Sequence, residues 1–263
     1  MHKRVFYAEA SYSDEEIFEV NKVLEESRLA LMDGPKVKEL EKKIANIFNK
    51  NHGLMVNSGS SANLIGFLSL QLQKGSKVIT PALTFSTTVS PIVQSGLIPL
   101  FIDVDRNTLQ INTGILKEIN LENVSAICVP NLIGNVANWE DIYNFAKENK
   151  LKIIEDSADT IGYSYKTSLS NWSDITTTSF YASHVITGAG FGGMTCFSDK
   201  ENYELALSLR GWGRRASLYS DSEDYERRFS AKIDDIFYDD KYIFDDIAYN
   251  FFVRLIIFWT TDT

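Results

Sequence analysis

Residues 125–156 open with Ser125-Ala126-Ile127-Cys128-Val129 and close with Leu151-Lys152-Ile153-Ile154-Glu155-Asp156, with a helix-length stretch over 138–149 between them. Two short apolar runs separated by a helical segment make a strand–helix–strand unit. Such units build a mostly parallel sheet with helices covering both faces. The alternation continues outward in both directions. Further candidate strands lie at 77–80, 98–102, 175–180 and 193–197, and further helices at 60–73, 86–95 and 200–210. Ahead of them, residues 13–30 read as a helix that Ser13 and Glu16 close with a capping box. A second helix spans 35–50, where Pro35 sits near the start and Val37, Leu40, Ile44 and Ile47 recur at helical spacing. Residues 217–246, rich in Asp, Glu, Arg and Tyr, carry no clear periodic element. The expected organisation is a large α/β domain over 1–215, then an irregular segment and tail over 216–263.

The chain has 263 residues, 44% hydrophobic and 23% charged, enough for a core with a buried pocket. A net charge of −9 argues against broad contact with nucleic-acid phosphates, although helix N-termini can still hold a small anion. The two cysteines, Cys128 and Cys196, are far apart and read as small buried strand residues; they are too few for a cysteine-bound iron–sulfur cluster, and no metal site is expected. The N-terminal residues lack an apolar signal segment and no run of 18 apolar residues occurs, so the expectation is a cytoplasmic protein without a membrane partner.

Three segments carry residues suited to chemistry. Asn57-Ser58-Gly59-Ser60-Ser61-Ala62-Asn63 follows a short apolar run and precedes a helix. Its free backbone N–H groups and hydroxyls suit a phosphate, although taken alone it reads more readily as an ordinary serine-capped helix start. Ile154-Glu155-Asp156-Ser157-Ala158-Asp159 ends a strand, where open α/β sheets place their ligands. A carboxylate there can pair with a cationic ring nitrogen, or simply cap a helix. In Thr178–Gly193 a strand runs into a hydroxyl-rich turn and then a glycine-rich return. His184 lies in that turn and is one of three histidines in the chain. Phe85, just after a strand, could stack on a planar ring or belong to the core. Leu209-Arg210-Gly211-Trp212-Gly213-Arg214-Arg215 offers arginines for an anion or a solvated turn.

Taken in order, the serine-glycine loop, Pro81-Ala82-Leu83-Thr84-Phe85, Glu155-Asp156-Ser157-Ala158 and Ser179-Phe180-Tyr181 with its glycine hairpin resemble the fold-type I pyridoxal 5′-phosphate (PLP) enzymes of nucleotide-sugar metabolism, the DegT/DnrJ/EryC1/StrS family of aminotransferases and dehydratases. The resemblance covers roughly residues 6–250. It implies that Gly59, Ser60 and Ser179 hold the cofactor phosphate, that Phe85 stacks on the pyridine ring, and that Asp156 pairs with the ring nitrogen. It also places Asp159 near the ring hydroxyl, and Asn250 against the phosphate of the neighbouring subunit in a homodimer.

One departure is decisive. The family's aminotransferases carry a Schiff-base lysine where this chain has His184, and no lysine occurs between Lys166 and Lys200. That pattern, with Trp212-Gly213-Arg214-Arg215, is similar to the branch of 3-dehydratases that act on nucleotide-linked 4-keto-6-deoxyhexoses, the GDP-4-keto-6-deoxy-D-mannose 3-dehydratases among them. The resemblance then implies pyridoxamine 5′-phosphate (PMP) as the working cofactor, His184 as the base, a nucleotide sugar as substrate and L-glutamate as amino donor. A conventional aminotransferase and an inactive fragment are the alternatives. Beyond Phe251 the sequence departs from the family, whose members continue into a small C-terminal domain, so a truncation or frame slip near residue 251 is the expectation.

Overall fold

A computed structural model describes residues 4, 11–26, 32–163, 171–219 and 224–253. Two helices, α1 (Asp14–Glu26) and α2 (Pro35–Ile47), precede β1 (His52–Val56), α3 (Gly59–Ser69), β2 (Lys77–Pro81), α4 (Ser86–Gln94) and β3 (Ile98–Ile102). There follow β4 (Val124–Pro130), α5 (Trp139–Glu148), β5 (Lys152–Asp156), β6 (Ile175–Ser179), β7 (Gly193–Phe197) and α6 (Lys200–Arg210). The seven strands form one sheet in the order β1-β7-β6-β5-β4-β2-β3. All neighbours pair in parallel except β7, which is antiparallel to both β1 and β6.

The alternation of side chains decides which helix covers which face. Ala126, Cys128 and Ile154 face one way and pack with Phe67 of α3 and Ile92 of α4. On the same side, Leu54 and Val56 pack with Ile65 of α3 and with Ala206 and Leu209 of α6. Ile127, Val129 and Ile153 face the other way, against Trp139, Ile142 and Phe145 of α5. Met55, Met194 and Cys196 meet Val37, Leu40 and Ile44 of α2 there. Helices therefore cover both faces, and both cysteines are buried and free, as the sequence implied. Among the described residues no helix is long and apolar enough to cross a membrane.

Three differences from the sequence reading have local causes. β1 was legible only as the apolar run Leu54-Met55-Val56, and in the structure it closes the sheet beyond β7. The helix expected over 60–73 stops at Ser69, and Gln71 turns to φ +48 to reverse the chain. The acidic segment after 217 is not featureless: it holds α7 (Tyr225–Arg228) and a hairpin of β8 (Ala231–Ile233) with β9 (Ile236–Tyr238). Asp234 and Asp235 make its turn, both at positive φ, which is what a tight two-residue hairpin requires. Of the helix expected over 13–30, Asp14–Glu26 is described, with the Ser13–Glu16 capping contacts in place; residues 27–31 lie outside the described residues, as do those beyond Val253 where the departure from the family was read.

Candidate active site

The C-terminal ends of β5 and β6 and the N-termini of α3 and α4 meet at one edge of the sheet. Ser58 caps α3, its Oγ accepting the Ser61 N–H at 3.1 Å. That leaves the Gly59 and Ser60 N–H groups, in the first helical turn, without intrahelical partners. Ser60 is exposed there. Ser179 ends β6 directly beside Gly59: a Cβ on Gly59 would come within 2.6 Å of Ser179 Cβ. From the other side, a Cβ on Gly193 would sit 2.3 Å from the Ser58 carbonyl. The glycines thus let three backbone segments touch, and they hold Ser60 and Ser179 at one cradle of donors, with the helix dipole behind it.

Asp156, the last residue of β5, points to the face of α3 and α4. Its Oδ2 accepts from Asn63 Nδ2 at 2.9 Å and from Thr88 Oγ1 at 2.8 Å, and its Oδ1 from the Ala158 N–H at 3.2 Å. Asn63 is held in turn by Thr177 Oγ1 at 2.6 Å and donates also to the Thr87 carbonyl. Burial raises the Asp156 carboxyl above the usual range, and the Thr88 and Asn63 hydrogen bonds only partly offset it. A cation brought against this carboxylate would restore its charge. Phe85 is the N-cap residue of α4, and with 69% of its surface exposed it belongs to the open rim and not the core.

Asp159 and His184 face each other across the same edge. His184 Nε2 lies 3.6 Å from Asp159 Oδ1, an ion-pair approach just outside hydrogen-bond range. The His184 N–H donates to the Tyr181 carbonyl, and the two rings meet edge to face. The resemblance placed Asp159 near a ring hydroxyl; here its Oδ1 faces His184. Asn250 belongs to the C-terminal segment. It is exposed and makes a backbone bridge with Gly211, while the neighbouring Phe251 carbonyl accepts the Asn57 N–H.

Asn63, Thr88 and Thr177 were not singled out in the sequence. The one signal available for Asn63 was its place four residues after Gly59, on the same helix face. Nothing local marks Thr88 or Thr177.

The donor set fits a phosphorylated, protonatable aromatic ring. An N-terminal cradle suits a phosphate, a desolvated carboxylate suits a ring N–H, and an exposed aromatic suits a flat partner. Three polar atoms around the edge, Asn57 Oδ1, Thr84 Oγ1 and His184 Nδ1, are buried without a hydrogen-bond partner. Such atoms are costly unless a bound group satisfies them.

The profile of the DegT/DnrJ/EryC1/StrS aminotransferase family matches residues 11–236. The chain is 34% identical over 247 residues, 86% of its length and 53% of the relative's, to dTDP-4-dehydro-2,6-dideoxy-D-glucose 3-dehydratase of Saccharopolyspora spinosa. It is 32% identical over 217 residues, 79% of its length and 55% of the relative's, to GDP-4-keto-6-deoxy-D-mannose 3-dehydratase of Escherichia coli O55:H7. Among solved structures, that of E. coli GDP-4-keto-6-deoxy-D-mannose-3-dehydratase with bound hydrated PLP superposes with a TM-score of 0.80 at 30% identity, covering 93% of this chain and 62% of that one. The chain spans about half the length of the curated relatives it matches.

Proposed function

The chain belongs to the DegT/DnrJ/EryC1/StrS family, and from that premise we propose that it is built for PMP-dependent removal of the C3 hydroxyl from a nucleotide-linked 4-keto-6-deoxyhexose. The observation that carries this reading is His184 at the end of the Ser179–Tyr181 turn, facing Asp159, where the family's aminotransferases have a lysine. An imidazole cannot make a covalent link to PLP. Gly59, Ser60 and Ser179 would then hold the cofactor phosphate, Phe85 would lie against its ring and Asp156 would pair with its nitrogen.

When bound, PMP supplies an amine for the sugar's C4 ketone and a protonated ring as an electron sink. The protein's part is to place and move protons. Asp156, desolvated and fixed by Asn63 and Thr88, keeps the ring nitrogen protonated. His184 would accept a proton at its imidazole nitrogen and deliver one to the departing C3 oxygen, two tasks an imidazole can perform near neutral pH. L-glutamate is the proposed donor that restores the amine. Asn250, exposed in this chain, is the proposed contact to the phosphate of a second copy in a homodimer.

Incubation with PMP, L-glutamate and GDP-4-keto-6-deoxymannose, followed by mass spectrometry, tests the reading. A 3-deoxy product, one oxygen lighter than the substrate, supports it. An amino sugar would assign the chain to the aminotransferases instead. No product from the folded chain under these conditions would favour the remaining alternative, an inactive fragment.

A further inference from the structure

Asp159 does not reach His184 by chance of sequence neighbourhood; a strained turn delivers it. Ile133 adopts φ +54, a left-handed conformation that β-branched residues rarely tolerate. Its side chain is 67% exposed, so packing of the isoleucine does not offset the strain. What the turn does provide is the Ile133 N–H, which donates to Asp159 Oδ2 at 2.9 Å. The turn is rooted in the buried network below it. Asn131 donates to Glu155 Oε1 at 3.0 Å and to Ser157 Oγ at 2.8 Å, and its Oδ1 accepts from Ala137 N and Trp139 Nε1. One carboxylate oxygen of Asp159 is therefore tied down, and the other, Oδ1, is turned to His184 Nε2.

His184 needs such a partner. Its main chain is fixed by the Tyr181 carbonyl, but rotation about χ2 has a broad, two-fold profile and exchanges the ring nitrogens for carbons. Its Nδ1 is enclosed and has no hydrogen-bond partner, so nothing on that side selects an orientation. We propose that Asp159 is a positioning residue: anchored by the Ile133 turn, it holds the His184 imidazole by its Nε2 edge in one ring orientation and offsets the charge the ring carries when protonated. The consequence for proton transfer rests on the proposed dehydration; the ring orientation does not.

The test uses the full chain with ¹⁵N-labelled histidine, wild type, Asp159→Ala and Asp159→Asn. Three histidines give three sets of ring signals, assigned with His184→Asn. The expected result is that Asp159→Ala shifts and broadens the His184 ring nitrogens and leaves those of His2 and His52 in place. Asp159→Asn, which keeps an oxygen for the Ile133 N–H but lacks the charge, gives a smaller change. In the dehydration assay, kcat should fall about tenfold to a hundredfold in Asp159→Ala, with the sugar's KM within about twofold, the scale on which ligand-orienting partners act. His184 ring signals identical in wild type and Asp159→Ala would overturn the proposal. Shifted signals in a chain with no dehydratase activity would uphold the positioning and refute the proposed function.

Discussion

Glu155 and Asp156 are adjacent on β5, both buried, and differ in what surrounds them. Glu155 points to the α5 side, where Asn131, Ser157, Tyr163, Trp172, Ser173 and Thr176 all donate to it. Asp156 points to the α3 and α4 side, accepts three hydrogen bonds, and is left with its carboxyl raised above the usual range by burial. The first carboxylate is saturated by its own chain. The second is under-compensated, which is how a residue meant for an external cation looks before that cation arrives. A period of two along a strand thus separates a structural acid from a site acid one residue away.

Glu155→Ala would strand several buried donors at once and should lower stability by about 3 kcal/mol or more, read from urea unfolding. A loss under about 1 kcal/mol would mean that the network is not structural. Asp156→Asn should do the opposite. The folded protein holds the Asp156 proton more tightly than the unfolded chain, so this residue's contribution to stability falls as pH rises above the ordinary carboxylate value of 3.8. The cofactor-free Asn variant should therefore match or exceed the wild-type melting temperature at pH 7, with the difference closing as pH falls toward 4, while its affinity for PMP drops at least about tenfold. Gly59→Ala sharpens the picture from the phosphate side. Its Cβ would meet Ser179 at 2.6 Å, so about 1–3 kcal/mol of stability should be lost together with phosphate affinity.

The smallest effect concerns Lys50, which lies beneath Glu155. Burial holds its ammonium down to about 8, although the Glu155 charge works against that shift, and its amine bonds Asn171 and the Ser173 carbonyl. Between pH 8 and the ordinary lysine value of 10.5 the unfolded chain binds the extra proton, so stability should rise with pH across that window. Urea midpoints at pH 8 and 10 read it, and Lys50→Met should flatten the rise.

Much of this was legible in the sequence. The strand–helix alternation pointed to the sheet and both helical layers, because buried parallel strands are mostly apolar and their crossover connections are usually helices. The positions of Gly59, Asp156, Ser179 and His184 were legible through motif order. What escaped was three-dimensional in origin. Thr88 and Thr177 acquire meaning only because α4 and β6 arrive beside Asp156. The link from Glu155 through Asn131 and Ile133 to Asp159 depends on a left-handed isoleucine that no local preference announces. The Asp234-Asp235 hairpin was hidden by its charge, since tight hairpin turns are more readily recognised when they contain glycine.

The proposed function requires a non-covalently held cofactor on the Asp156 face of β5. A fluorescence titration with PMP, run on wild type, Asp156→Asn and Glu155→Gln under conditions where all three are folded, tests it most directly. Saturable binding to wild type that dialysis reverses, weakened at least about tenfold in Asp156→Asn and little changed in the Glu155→Gln protein that remains folded, is the predicted result. Equal affinity in wild type and Asp156→Asn would contradict it.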